Sequence, residues 1–247
     1  MRDSARVRRC KAIRDRIYNR EHFGYSVFER EVIELLSFKS TILDIGCGRN
    51  ANFLRSLSSC VKRAYGIDLE VSDTITDGNL QIMNGDAEEI PLPDHSVDIT
   101  TLINVSEHLR DPEAVFLECR RILKPGGSLF IIAPCKFYLP TLLGRAIPYS
   151  IRQWANVFIT CTEKEETFPA YYRANSRYAL KRIAASVGLS MVDFKYLTYH
   201  PELFMFSPVV YSCAVVIERF FLERKPFYCF RHQVFCHLRN PLVCRVK

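Results

Sequence analysis

Apolar residues between positions 41 and 133 fall into short continuous runs that alternate with helical spacings. The runs predict strands at residues 41–45, 63–67, 80–83, 97–103 and 128–133. The helical spacings predict helices at residues 51–57 and 112–123, the second with Asp111 as N-cap and Pro112 at its first position. Residues 124–127 predict a tight turn before the last strand. This alternation is typical of parallel βαβ units with right-handed crossovers.

The segments that flank this alternating region follow other patterns. Residues 1–37 predict an N-terminal helical cap, whose later part, from residue 27, is amphipathic. Residues 135–175 are rich in aromatic residues without a clean period, which predicts a lid or a substrate-binding wall. Residues 201–238 predict a hydrophobic helical insert. The remaining predicted elements are a helix at 176–187, a strand at 189–197 and a closing strand at 242–246.

Length and cysteine usage narrow the class of protein. The chain has 247 residues, of which 48% are hydrophobic, as in an ordinary globular protein. Its ten cysteines include no C-x-x-C pair, and no apolar run follows the arginines near its beginning. We therefore expect a cytoplasmic protein with reduced and mostly buried thiols.

The net charge of +7 is concentrated near the two ends of the sequence. Residues 1–20 carry eight basic and two acidic residues, and residues 223–247 carry six basic residues and one acidic residue. Such segments could meet anionic lipid, nucleic acid or an acidic substrate. Two solvated helical faces would give the same charge pattern.

The longest apolar segment without a charge covers residues 203–217. Its fifteen residues fall short of the roughly 20 that a membrane-spanning helix needs. The segment therefore predicts a buried or an interfacial helix, and a peripheral membrane contact through residues 201–238 is a hypothesis.

Residues 43–48 place a short glycine turn directly after the first predicted strand. A strand, a glycine turn and a helix in this order present backbone N–H groups to a nucleotide-like ligand. A dinucleotide site uses G-x-G-x-x-G, but Ala51 or Asn52 stands at the place of the third glycine. Asp44, two residues before Gly46, would repel a pyrophosphate and suits the ammonium and sulfonium charges of S-adenosylmethionine.

Further polar residues stand where the other predicted strands end. Asp68 is placed to bind the two hydroxyls of a ribose, Asp86 to lie near the adenine amine, and Asn104 to add a backbone or amide contact. Ordinary acids in turns are the alternative, but an ordered set at one edge of a sheet favours a cofactor crevice. The predicted cofactor-binding residues are Asp44, Gly46, Cys47, Gly48, Asp68, Leu69, Asp86, Ala87 and Asn104.

Six motifs follow one another over roughly residues 38–134. They are residues 43–48, 66–68, 85–93, 97–98, 107–109 and 123–129. Through them the chain resembles the class I S-adenosylmethionine-dependent methyltransferases of the type-11 group. The resemblance implies an α/β fold with a Rossmann-like, doubly wound sheet of seven strands, the last of them antiparallel, and with α-helical inserts. It also implies S-adenosyl-L-methionine as cofactor.

The chain departs from many members of this family at Asn50, where those proteins carry a small residue. We expect a single domain over residues 1–247 with a cofactor-binding core at 38–134.

Candidates for the chemical step follow the fourth predicted strand. Glu107 and His108 could remove a proton from an acceptor, although His108 could instead belong only to the start of the next helix. Some quinone O-methyltransferases that this region resembles have a Glu-x-x-Glu-His metal site. Asn104 stands at its first position here, so one hard ligand is missing and no metal is expected. The cysteines and histidines of residues 229–237 crowd one short predicted helix, which argues against zinc.

Candidates for acceptor binding lie at the end of the predicted lid. Tyr171, Tyr172 and Arg173 could stack on a ring and clamp an anion. The alternative is a lead-in to the following helix, with Asn175 as its N-cap.

The sequence thus predicts an S-adenosylmethionine-dependent methyltransferase for a small, hydrophobic or lipid-linked acceptor. It leaves open O-, C- or N-methylation and the oligomeric state. One alternative is an RNA or protein methyltransferase that uses the basic termini, although no recognisable RNA-binding module is present and nucleic acid is not favoured. Another is a non-catalytic protein that binds S-adenosylmethionine.

Overall fold

A computed structural model describes residues 5–18, 23–138, 142, 168–197, 204–222 and 224–242. The chain divides into two compact units. The helical unit comprises Met1–Val27, Pro134–Pro169 and Tyr196–Gln233. The sheet unit comprises Phe28–Ala133, Ala170–Lys195 and Val234–Lys247.

Eight strands form one mixed sheet, and most of them run parallel. They are β1 (Thr41–Ile45), β2 (Arg63–Asp68), β3 (Ile75–Asp77), β4 (Leu80–Asn84), β5 (Val97–Ile103), β6 (Leu123–Pro134), β7 (Ser190–Leu197) and β8 (Gln233–Arg239). Their order across the sheet is β3-β4-β2-β1-β5-β6-β8-β7. This confirms the predicted α/β, Rossmann-like sheet, with the short β3, antiparallel to β4, as an additional strand at one edge.

Six α-helices accompany the strands in the described part of the chain. They are α1 (Ala5–Ile17), α2 (Gly24–Leu35), α3 (Asn52–Leu57), α4 (Pro112–Ile122), α5 (Arg177–Ser186) and α6 (Pro208–Ile217). Asp111 caps α4 as predicted, because its carboxylate accepts hydrogen bonds from the N–H groups of Glu113 and Ala114. A π-helical turn, Glu218–Leu222, continues α6, and a 3₁₀-helix covers Lys225–Phe230.

The register of the central strands brings their carboxyl ends next to one another. Asp44 of β1 lies beside Gly66 of β2 on one side and beside Thr101 of β5 on the other. Asp68, the last residue of β2, lies beside Asn84 of β4. The carboxyl ends of β4, β2, β1 and β5 are therefore neighbours along one edge, where open α/β sheets bind their ligands.

The turn predicted at residues 124–127 is wrong as a boundary, because β6 runs through it. Val97 of β5 lies beside Leu123, whereas Ile99 lies beside Ser128, so β6 contains extra residues at this point. This bulge contains Gly126 with a φ of 85°, a conformation that glycine adopts at little cost. The glycines therefore mark an irregularity inside a strand and not its beginning.

The closing strand predicted at residues 242–246 falls almost entirely outside the described residues. Leu242 lies outside any strand, and residues 243–246 are outside the described residues. The last strand within the described residues is β8, which occupies the end of the segment predicted to be a helical insert, residues 201–238. Its antiparallel direction follows from the hydrogen bonds that Asn240 makes with Gly126 and Gly127 at the start of β6.

Burial on both faces of the sheet explains why β8 gave no strand pattern in the sequence. Six consecutive residues of β8 are buried, since the strand lies between β6 and β7. Its one histidine, His237, is accommodated by a 3.0 Å hydrogen bond between Nε2 and Ser128 Oγ and by stacking on Phe130 at 4.3 Å. Burial is the main cause that lowers the pKa of His237 to about 4.

The helical unit has a small core in which α1 packs on α6. Val7 and Cys10 of α1 are buried against Tyr211 and Val215 of α6, together with Met205. At the end of α6, the Tyr18 hydroxyl donates a 2.7 Å hydrogen bond to Oε2 of the buried Glu218. In the described part of the chain, no helix combines the length and the apolar character needed to cross a membrane.

Candidate active site

The glycine turn after β1 is held against the end of β2. Gly46 N–H donates a 2.8 Å hydrogen bond to Ile67 C=O. Gly46 and Gly48 have φ values of 71° and 67°, and Ala51, which precedes α3, also lies in the left-handed region at 43°. The sequence therefore uses its two glycines where the backbone requires them, as predicted for a strand–turn–helix.

The two glycines differ in what surrounds them, and this difference predicts different costs of substitution. A Cβ on Gly46 would overlap Val105 Cγ2, whereas a Cβ on Gly48 would meet nothing within 4 Å. We expect Gly46→Ala to lower the free energy of unfolding by roughly 3 kcal/mol, from backbone strain plus overlap. Gly48→Ala should cost only about 1 kcal/mol, from backbone strain alone. Equal losses for the two variants in urea denaturation would contradict this account.

Asp44 is a buried carboxyl group at the end of β1. The hydroxyl of Thr101 on β5 donates a 2.6 Å hydrogen bond to Asp44 Oδ1. Burial raises the pKa of Asp44 to about 7, the Thr101 hydrogen bond opposes this rise, and the negative charge of Asp68 adds to it. A cation placed beside Asp44 would favour its ionised form, so this group is suited to a positively charged ligand.

Asp68 connects the glycine turn to the end of β2. Its Oδ2 accepts a 2.8 Å hydrogen bond from Gly48 N–H, and its Oδ1 accepts a 2.9 Å hydrogen bond from Glu70 N–H. The side chain is only half-buried, so each oxygen can accept a further hydrogen bond from a ligand. Leu69, which follows it, is exposed.

The other two strand ends carry exposed polar groups. Asp86 forms a turn in which its Oδ1 accepts a 2.9 Å hydrogen bond from Glu88 N–H, and Ala87 lies half-buried within that turn. Asn104 adopts a φ of 54° and donates its N–H to Ile132 C=O at 2.8 Å. Its exposed side-chain amide, and not its N–H, is therefore the group that can contact a ligand.

Glu107 is a second buried carboxyl group, in the loop after β5. Its pKa is raised to about 7 by burial, against the lowering effect of hydrogen bonds from the backbone and from the side chain of Asn175. Oε2 of Glu107 has no hydrogen-bond partner among the described residues. His108 Nε2 lies 3.8 Å from Glu107 Oε1, and the imidazole is partly exposed.

Two of the predicted acceptor-binding residues contact Glu107, one of the predicted catalytic residues. The N–H groups of Tyr171 and Tyr172 donate to Glu107 C=O at 2.7 and 3.1 Å. The Arg173 guanidinium donates to Arg110 C=O and lies 5.5 Å from the centre of the Tyr171 ring. Tyr171 and Arg173 are exposed, so they border the loop that holds Glu107. The lid prediction for residues 135–175 lies mostly outside the described residues.

Two functional candidates were missed by reasoning from the sequence. Thr101 lies inside a strand, where a threonine is ordinary, and only the register of β1 and β5 places it against Asp44. Asn175 was interpreted as the N-cap of α5, but the cap is Ser176, whose Oγ accepts a 3.3 Å hydrogen bond from Ala179 N–H. Asn175 is instead fully buried against Glu107. An Asn-Ser pair before a helix gives two cap candidates, but it carries no signal that Asn175 contacts Glu107.

Metal binding has no support within the described ranges, where no group of three or more His, Cys, Asp or Glu side chains is arranged to hold an ion. The cysteines and histidines of residues 229–237 do not share one helix as expected. Cys229 belongs to a 3₁₀-helix, and Cys236 and His237 belong to β8. The absence of a metal stays a prediction.

Comparison with known proteins relates part of this chain to a family of methyltransferases. Residues 43–131 match the family model described as "Methyltransferase domain". A protein of Mycolicibacterium smegmatis that is named as an S-adenosylmethionine-dependent methyltransferase is 32% identical to this chain over 98 residues. The aligned region covers 38% of this chain and 37% of that protein. The ubiquinone biosynthesis O-methyltransferase of Cupriavidus pinatubonensis is 25% identical over 177 residues, 65% of this chain and 64% of that enzyme. The chain spans less than two thirds of the length of these two relatives.

Solved structures share the fold at low sequence identity. Geranyl diphosphate C-methyltransferase from Streptomyces coelicolor, in complex with S-adenosylhomocysteine, superposes with a TM-score of 0.58 at 16% identity, covering 87% of this chain and 76% of that one. The cyclase SpnF superposes with a TM-score of 0.52 at 15% identity, covering 87% and 81%. The matches over residues 43–131 and to the two relatives support a class I S-adenosylmethionine-dependent methyltransferase of the type-11 kind, with S-adenosyl-L-methionine as cofactor.

Proposed function

We propose that the chain is an S-adenosylmethionine-dependent methyltransferase that acts on a small, hydrophobic or lipid-linked acceptor. The observation that carries the proposal is the position of Asp68, which accepts the N–H of Gly48 in the glycine turn and influences the buried Asp44. A carboxylate that orders the turn and still offers lone pairs suits a ribose, and a buried carboxyl group beside it suits a cation.

In this proposal each cofactor group has its residues in the chain. Asp44 and the turn at Gly46, Cys47 and Gly48 hold the amino-acid end, and Asp68 with Leu69 holds the ribose. The adenine is held by the side-chain carboxylate of Asp86, a backbone group of Ala87 and the side-chain amide of Asn104. The open space at Gly48 supports this assignment, because a ligand can approach the bare backbone there.

Binding of the cofactor product, S-adenosylhomocysteine, is expected to strengthen by about tenfold from pH 6 to pH 8. Its ammonium group favours ionised Asp44, whose pKa in the free protein is about 7. Below that pH, binding must release the Asp44 proton, and each further pH unit weakens the apparent affinity by about tenfold. Calorimetry at a series of pH values measures this dependence.

Two variants test whether this pH dependence of binding arises from Asp44. Asp44→Asn should bind S-adenosylhomocysteine more weakly at pH 8 and with no step near pH 7. Thr101→Val removes a hydrogen bond that lowers the pKa of Asp44, so its step should move to higher pH. A parent protein whose affinity is flat between pH 6 and pH 8 would rule out this role of Asp44.

Glu107 is the group we assign to proton removal from an oxygen or nitrogen acceptor. When bound, S-adenosylmethionine supplies a methyl group already activated by its sulfonium. Glu107 contributes a carboxyl group with a pKa of about 7 and an unpartnered Oε2, which are the properties of a general base that works near neutral pH. Asn175 holds this carboxyl group in place, and His108 Nε2 lies 3.8 Å from its Oε1.

The acceptor is proposed from the residues around Glu107. The exposed Tyr171 and Arg173, with Tyr172 between them, can contact an apolar ring and an anionic substituent. The similarity to a ubiquinone biosynthesis O-methyltransferase supports a hydroxylated ring with an isoprenoid chain as the first acceptor to test. The experiment measures release of S-adenosylhomocysteine with a prenylated catechol and, separately, with an isoprenoid diphosphate. Turnover of the catechol would indicate O-methylation, and turnover of the diphosphate would indicate C-methylation.

Two other functions remain alternatives. An RNA or protein methyltransferase would use the basic termini, and methylation of total RNA or of protein without turnover of the small acceptors would favour it. A non-catalytic S-adenosylmethionine-binding protein would bind cofactor without any turnover, and the cyclase SpnF illustrates that this fold occurs in proteins of other named activity. The peripheral membrane contact predicted for residues 201–238 belongs to the main proposal, since a lipid-linked acceptor is met at a membrane surface.

A further inference from the structure

One side of α6 presents an apolar surface to solvent. Val209, Val216 and Ile217 are 73%, 65% and 57% exposed, and Phe206 and Phe220 are exposed next to the ends of the helix. The spacing of Val209, Val216 and Phe220 places them on one face of a continuous helical segment. A contiguous apolar face of this kind is a sign of an interaction surface.

The opposite side of α6 is already used for folding. Tyr211, Val215 and Glu218 recur at helical spacing and are buried, and the first two pack on α1. A solvent-exposed apolar face and a buried packing face therefore lie on opposite sides of one helix. The exposed face contributes nothing to the described core of the helical unit, so its composition needs a reason other than folding.

Cations border the exposed face at its C-terminal end. The Arg224 guanidinium lies 4.3 Å from the centre of the Phe220 ring, and Arg219 and Lys225 are also exposed. The one acidic residue among the described residues 206–222 is Glu218, which is buried and accepts the Tyr18 hydroxyl. Arg224 and Lys225 therefore bring positive charge to this end of the apolar face.

We propose that this face of α6, with Phe206, Phe220, Arg219, Arg224 and Lys225, docks on the surface of a bilayer that contains anionic lipid. Valine, isoleucine and phenylalanine side chains would enter the boundary between headgroups and acyl chains, and the cations would contact the headgroups. Arginine stacked on an aromatic ring is suited to this boundary, because its stem is apolar and its guanidinium stays among the headgroups. This inference deepens the proposed function and rests on it only for the idea that the acceptor is lipid-linked.

A second copy of the chain is the competing occupant, and the charges disfavour it. A two-fold symmetric interface would place the same positively bordered surface against itself. The exposed Arg224 and Lys225 would then approach their own copies. An anionic headgroup layer offers the opposite charge instead.

Sedimentation with lipid vesicles tests the proposal on the full chain. The parent should bind vesicles of phosphatidylcholine with phosphatidylserine at least tenfold more tightly than vesicles of phosphatidylcholine alone. Val216→Asp should weaken binding to the mixed vesicles by tenfold or more, and Arg224→Gln by roughly fivefold. The matched control is Val192→Asp, since Val192 is 50% exposed on β7, and it should bind like the parent.

Affinity for S-adenosylhomocysteine, measured on the same variants, separates this proposal from the proposed function. Unchanged cofactor affinity in Val216→Asp shows that the sheet unit is folded, and unchanged helical content by circular dichroism shows that the helical unit is folded as well. Failure of all proteins to bind the mixed vesicles would overturn the docking proposal and leave the cofactor site intact. A parent dimer that Val216→Asp converts to monomer, without vesicle binding, would overturn it in favour of a second copy. Vesicle binding without any cofactor affinity would contradict the proposed function alone.

Discussion

Glu107→Gln is expected to reduce kcat for methyl transfer to an oxygen or nitrogen acceptor by about a hundredfold to ten thousandfold. The amide keeps the shape of the buried side chain and can still bond Asn175, but it cannot accept the acceptor's proton. Affinity for S-adenosylhomocysteine should stay within about twofold of the parent, since the proposed role is in the chemical step. The measurement is the initial rate of S-adenosylhomocysteine release with an accepted substrate.

The pH profile distinguishes a general base from a structural carboxyl group. Glu107 must be ionised to accept a proton, and its pKa is about 7. The parent rate should therefore rise about tenfold per pH unit below pH 7 and level off above it, whereas Glu107→Gln should show no such step. Glu89→Gln, at an exposed glutamate after Asp86, is the control and should behave like the parent. A Glu107→Gln variant with the parent rate and profile would remove Glu107 from the mechanism.

Asp68→Ala is expected to weaken binding of S-adenosylhomocysteine by about a hundredfold. The substitution removes the acceptor of the Gly48 and Glu70 N–H groups, so the turn loses its order, and it removes the group assigned to the ribose. Hydrogen bonds to a charged group contribute roughly 1.5–3 kcal/mol each, so the loss of the ligand's own bonds is enough for this effect. Titration calorimetry at pH 8, where Asp44 is ionised, gives the affinity.

Two further variants control for effects on folding. Asp68→Asn keeps one acceptor oxygen and should fall between the parent and Asp68→Ala. Asp77→Ala removes an exposed carboxylate that pairs with Arg55 at 2.8 Å on the same sheet, and it should leave cofactor affinity unchanged. Asp68→Ala with parental affinity would contradict the ribose assignment.

The central part of the fold could be predicted because its elements carry strong local signals. The strands β1 and β5 have the predicted bounds, and Asp111 with Pro112 marks the start of α4. β8 could not be recognised as a strand, since all but its last residue are buried and period-two alternation is absent. The same reason made residues 233–238 resemble part of a helical insert.

The residues of the candidate site that lie at the ends of predicted strands could be predicted from the sequence. Asp44 is the penultimate residue of β1 and Asp68 is the last residue of the adjacent β2, so the sheet topology brings them together. Thr101 and Asn175 were not predictable, because their contacts depend on strand register and on a loop that returns from residue 170 onward. The pKa values of Asp44 and Glu107 depend on burial, which no local pattern reports.

Titration of the parent chain with S-adenosylhomocysteine and with NAD, by calorimetry at pH 8, tests the central claim most directly. We predict one binding site for S-adenosylhomocysteine per chain and no binding of NAD, because Asp44 opposes a pyrophosphate and a third glycine is missing from the turn. Binding of NAD without binding of S-adenosylhomocysteine would contradict the account.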